Sequence, residues 1–131
     1  MRVLVVLLLV LGGCAFDPAP PARDGVATDP APERVAAALR FAALAPLPPG
    51  ARVPRLDVQG GIDTRVALVV AAEEGAAGTW LAASGFPPAA ADGGRPQQRL
   101  ANPDGAIVYR DVAVTAPAPG AAVVEVTAFT T

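Results

Sequence analysis

The side chains with the widest chemical scope in this 131-residue chain are carboxylates. Adjacent Glu73 and Glu74, together with Asp57, Asp63 and Asp111, are the candidates for general acid/base or glycosidase work, which needs two carboxyl groups about 5 to 9.5 Å apart. Other chemistries lack their parts. A nucleophilic triad needs a base, yet the sequence has no histidine, and its only serine, Ser84, falls at an expected helix end. Structural zinc draws on cysteine and histidine, and a single cysteine, Cys14, offers neither a metal set nor a disulfide. Gly60-Gly61 and Gly93-Gly94 fit no phosphate-cradling pattern and read as turns. No cofactor and no metal are expected, and the catalytic set is empty.

Adjacent glutamates that open a helix serve first as partners of its dipole. Asp63 and Arg65, with Arg110 and Asp111, read as cross-strand ion pairs on an exposed sheet face. The single tryptophan, Trp80, reads as core. More telling are Arg95, Gln97, Gln98 and Arg99, in the stretch "AAADGGRPQQRLANPDG" at 89 to 105. That connection is long for a compact domain, and binding groups concentrate on loops. These four residues are therefore the candidate partner-binding loop, suited to an acidic partner or a glycan.

Every one of the 10 basic residues is an arginine, and the formal net charge is −2, or −3 once Arg2 is lost with a leader. A surface of that sign cannot neutralise phosphates, so nucleic acid is not an expected partner. Hydrophobic residues make up 53% of the chain, but alanine supplies much of that and aromatics only 5%, so the core must be small. The length allows one ordinary domain.

The amino end has its own pattern. Met1-Arg2 is a minimal positive region, Val3 to Leu11 is wholly apolar, and Gly12-Gly13 are small residues of the kind found at processing sites. As a helix the apolar run would cover roughly 14 Å, about half of a hydrocarbon core. A buried helix of the domain would need a polar face, which this run lacks.

Leu11-Gly12-Gly13-Cys14 resembles the lipobox of bacterial lipoproteins: an aliphatic residue, two small residues and a cysteine. The resemblance covers residues 1 to 14 only. It implies that Cys14 takes diacylglycerol, with palmitate-type chains, in thioether linkage, and that a signal peptidase cuts between Gly13 and Cys14. The tail "VTAFTT" and the linker "PLPPG" are similar to those of uncharacterised actinobacterial lipoproteins, which brings no activity with it. The expected location is the extracytoplasmic face of a cell membrane, held by the lipid.

Residues 1–13 thus read as signal peptide, 14–32 as a lipid-anchored tether and 33–131 as a small domain. The stretch "AFDPAPPARDGVATDPAP" has five prolines and repeats "DPAP". Such composition favours an extended spacer.

From Glu33 the periodicity is legible. "ERVAAALRFAALA" spaces Val35, Ala38, Leu39 and Ala42 as a helix does, and Pro46, Pro48 and Pro49 end it. Alternation then predicts a hairpin: Val53, Leu56 and Val58, with Pro54 at an edge or bulge, followed by Val66, Leu68 and Val70. "EEGAAGTWLAASGF" predicts a second helix, closed by Gly85 with Phe86 packing back on Leu81. Two last strands carry Val108, Val112 and Val114, then Val124, Val126 and Ala128, joined by the loop 116 to 120. The expected fold is α+β, a four-stranded, mostly antiparallel sheet with two helices on one face, in the order α-β-β-α-β-β.

The functional expectation is an extracytoplasmic lipoprotein that acts as an envelope binding module, displaying its sheet or its 89 to 105 loop to an envelope protein or cell-wall polymer. The alternative is a small carboxylate-dependent envelope hydrolase using Glu73 with Asp57 or Asp63.

Overall fold

The computed structural model describes residues 25–90, 95–101 and 105–131. The lipobox and most of the tether lie outside the described residues, as do residues 91–94 and 102–104 of the long connection. The elements run β1 (Gly25–Thr28), α1 (Pro32–Phe41), β2 (Arg52–Gln59), β3 (Arg65–Glu73), α2 (Glu74–Ala83), a 3-10 turn (Pro88–Ala90), β4 (Gln97–Ala101), β5 (Ile107–Thr115) and β6 (Ala121–Thr130). They build one six-stranded sheet in the order β1-β2-β3-β6-β5-β4, in which every neighbouring pair is antiparallel.

The four-stranded expectation is therefore corrected: two further strands, β1 and β4, form the edges. Both escape the alternation rule for a physical reason. An edge strand needs only one neighbour and little apolar surface. β1 is four residues, GVAT, within the proline-rich stretch read as spacer; β4 is QQRLA, polar at most positions. The shortness of both edges, and the polarity of β4, also resist pairing with a second chain.

The four central strands alternate as their sequences dictate. Leu56 and Val58 of β2, Val66, Leu68 and Val70 of β3, Val108 and Val112 of β5, and Val124, Val126 and Ala128 of β6 turn to one side and are buried. Val35 and Ala38 of α1, with Ala77, Trp80 and Leu81 of α2, complete this single core. Proline behaves as its missing donor requires: the β2–β3 register shifts between Arg52 and Arg55, a bulge around Pro54.

Both helices end in the same way. At α2 the N–H of Gly85, at φ 84°, donates to the Ala82 carbonyl, and that of Phe86 to Leu81, each at 3.0 Å. At α1 the N–H of Ala43 donates to Arg40 at 3.2 Å and that of Leu44 to Leu39 at 2.8 Å. These are Schellman endings, the first on glycine and the second on alanine. Ala43 holds φ 52°, a left-handed conformation that costs a residue with a Cβ about 1–2 kcal/mol. Its methyl group lies on an exposed residue, so removing it sacrifices little packing. Ala43→Gly is expected to stabilise the protein by about 0.5–1 kcal/mol after the extra chain entropy of glycine is counted, read as a higher urea midpoint with an unchanged slope.

After α1 the chain runs back across α2. The Ala45 carbonyl accepts from Trp80 Nε1 at 2.8 Å, and the Ala45 N–H donates to Ser84 Oγ at 3.0 Å. The indole thus has the hydrogen-bond partner that a buried tryptophan needs, and Ser84, buried at the end of α2, is occupied structurally.

Candidate functional site

Strand pleating gives β5 two faces of different chemistry. Val108, Arg110 and Val112 share one parity and point towards the helices, whereas Tyr109, Asp111 and Ala113 point away. Arg110 is only 1% exposed. The expectation that Arg110 joins cross-strand ion pairs on the exposed face is overturned, because it shares the parity of Val108 and Val112 and lies on the inner side.

Inside, Arg110 is held by backbone rather than by a carboxylate. Its Nη1 donates to the carbonyls of Ala42 at 3.1 Å and Ala43 at 2.9 Å. Its Nη2 donates to the carbonyl of Ser84, and its Nε to Gln98 Oε1 at 2.9 Å. The guanidinium carbon lies 4.2 Å from the centre of the Phe86 ring, in cation–π geometry. Three of the four acceptors are carbonyls at the carboxyl ends of α1 and α2. Each helix end carries about half a negative charge, so two of them together offset one guanidinium. Burial pulls the Arg110 pKa down from its ordinary value, and the group keeps its proton regardless. Gly85 belongs to this arrangement on steric grounds too, since a Cβ there would come within 3.2 Å of Arg110 Nη2.

Gln98 completes the cluster, its Nε2 donating to the Gly85 carbonyl at 2.9 Å. Of the four residues proposed as a partner-binding loop, Gln98 therefore faces the helices. Gln97 and Arg99 lie on β4 with the opposite parity, and Arg95 just precedes that strand; all three are exposed. Cys14 and the Gly13–Cys14 bond fall outside the described residues.

Among the described residues no helix lies on the opposite face of the sheet. Its register sets out clear rows. One runs Asp57, Ala67, Thr127, Asp111, Gln97. The next towards the end that holds the β2–β3 turn runs Gln59, Arg65, Phe129, Tyr109, Arg99. On the other side lie Arg55, Val69, Glu125 and Ala113. Tyr109 and Phe129 stack across their strands, centroids 5.5 Å apart with 20° between planes, and an arginine flanks each on the neighbouring strand.

Between these rows is a concavity of about 470 Å³, with Arg65, Arg95, Gln97, Asp111, Glu125 and Thr127 among its lining. Small side chains, Ala113 and Thr127, leave the depression; longer charged ones surround it. Asp111 pairs with Thr127, two positions from Glu125, the diagonal relation that sets side chains roughly 7–8 Å apart. Both signs of charge are thus presented side by side to solvent.

The carboxylates singled out for hydrolysis are not brought together. Asp57 pairs with Ala67, six positions before Glu73 on β3, which at about 3.3 Å per residue leaves them about 20 Å apart. Asp63 lies farther still, in the turn before β3. Among the described residues no group of three or more His, Cys, Asp or Glu is placed to hold a metal ion, and no helix is long and apolar enough to cross a membrane. Against known proteins, no family model matches the chain, and neither a curated protein nor a solved structure does.

Proposed function

We propose that this protein is a membrane-anchored extracytoplasmic lipoprotein that acts as an envelope binding module, with the helix-free face of its sheet as the binding surface. The observation that carries the anchoring is Leu11-Gly12-Gly13-Cys14 at the end of an apolar run too short to span a bilayer. The binding role is supported by the concavity bounded by Arg65, Arg95, Asp111 and Glu125, donors and acceptors suited to a polar polymer or a protein. The hydrolase built on Glu73 with Asp57 is not favoured, because those two stand about 20 Å apart, well beyond paired catalytic geometry.

Two measurements test the reading. Mass spectrometry of the protein from its native membrane is expected to find Cys14 as the amino-terminal residue, bearing diacylglycerol; an intact leader on a free thiol overturns the anchoring. Crosslinking in the envelope through a photoreactive group at Gln97 is expected to recover one specific component. Glu125→Arg, on the exposed face and away from the core, is expected to cut that recovery about tenfold, a loss of about 1.4 kcal/mol. Recovery of nothing above background overturns the binding role.

A further inference from the structure

The strand register puts one apolar side chain in an unusual position. Ile62, in the β2–β3 turn, is 104% exposed, beyond the other exposed large hydrophobic, Val26 at 56%. Nothing in the sheet or helices covers it. The base of its turn is firm, with Thr130 N–H donating to the Thr64 carbonyl at 2.9 Å and Thr64 N–H to Thr130 Oγ1 at 3.1 Å. The side chain is therefore displayed on a fixed support.

The same end of the sheet is where the chain arrives from Cys14. β1 begins at Gly25, which pairs with Val58, adjacent to the Gln59 that closes β2. Gly25 and Ile62 thus belong to one end of the domain. Cys14 is eleven positions upstream of Gly25, so the connection reaches at most about 40 Å. The row nearest this end holds Arg65, Phe129, Tyr109 and Arg99, with both arginines exposed. Arginines draw anionic headgroups, and aromatic rings with a polar tip or edge suit the headgroup boundary.

We infer that this end is a second contact with the bilayer: Ile62 dips into the interface while Arg65 and Arg99 meet anionic headgroups, setting the strands upright. The inference rests on the lipid-anchored reading above, because a single isoleucine cannot bind a membrane from solution. A short tether changes that, since it raises the effective concentration of the domain at the surface to the millimolar range. Exposed Asp63 beside Ile62 keeps the insertion shallow. Arg65 then stands at the membrane-side wall of the concavity, and Asp111 and Glu125 lie farther from the headgroups, towards whatever the module binds.

The test uses the natively lipidated full chain in phosphatidylcholine–phosphatidylglycerol vesicles. With Cys14 occupied by lipid, Asp63→Cys offers one thiol for a fluorescent probe next to Ile62, and Ala118→Cys offers one in the β5–β6 turn at the opposite end of the sheet. Nitroxide-bearing lipid is expected to quench the probe at 63 at least threefold more than that at 118. Adding Ile62→Ser, at a position with no packing to lose, is expected to bring the two level. Equal quenching at both sites, in protein whose Cys14 carries its diacylglycerol by mass, overturns the inference and leaves the anchoring intact. A chain found without that lipid overturns both.

Discussion

Arg110→Ala is expected to lower stability by about 4 kcal/mol, as breaking a buried charged contact does, against a total of about 5–15 kcal/mol for a domain. Most of the effect lies in what is left behind. Without the guanidinium the carbonyls of Ala42, Ala43 and Ser84 lose a donor, and Gln98 loses the partner of its Oε1. The negative ends of two helices then face each other with no cation between them. Arg110→Met retains most of the volume without the donors, so it is expected to cost nearly as much, which separates hydrogen bonding from packing. Arg110→Lys restores a positive charge but not the planar fork that reaches both helices, and should cost about 2 kcal/mol. Urea unfolding followed by the fluorescence of buried Trp80 reads all three. A cost for Arg110→Met within 1 kcal/mol of zero would show that shape alone explains the site.

The mature chain from residue 14 carrying Cys14→Ser is expected to remain entirely in the supernatant when vesicles are sedimented, whereas the lipidated protein goes to the pellet. One acyl chain binds with an association constant of about 10⁴ M⁻¹, marginal at cellular lipid concentrations, and a second chain makes the attachment lasting. The protein surface brings little to set against that. The described helices include no membrane-spanning segment, and Ile62 is a single side chain whose gain appears only once the tether has delivered it. Sedimentation at about 1 mM lipid distinguishes the cases: one chain already leaves roughly nine-tenths bound, and none leaves the protein free.

The central strands were open to reading because burial on one face forces period-two alternation, and Leu56, Leu68, Val112 and Val126 obey it. So was the end of α2, where Gly85 and Phe86 take the positions that a left-handed closure demands. The edges were hidden because their stability comes from ladder bonds and not from side chains: "GVAT" and "QQRLA" look like loop. The charge of Arg110 suggests an exposed position, whereas its parity places it inside. Val108 and Val112 already assigned position 110 to the inner face, and that alternation was the signal that could have found it. Its partners were beyond reach, since the Ala42 carbonyl lies 68 positions away along the chain and no side-chain pattern marks a backbone acceptor. The concavity was partly legible through Arg95 and Gln97. Its other wall, Glu125, becomes visible only when β6 is placed beside β5.

The position of β6 has a consequence for how the chain would fold if it is exported as proposed above. It is the latest of the six strands in sequence, yet it fills the middle of the sheet, between β3 and β5. A polypeptide threaded amino end first through a translocation channel would present β1, β2 and β3 with one side of β3 unsealed, while the two helix ends await a guanidinium that has not emerged. Native structure therefore waits until β5 and β6 have cleared the pore. The middle of the sheet is thus the last part to close.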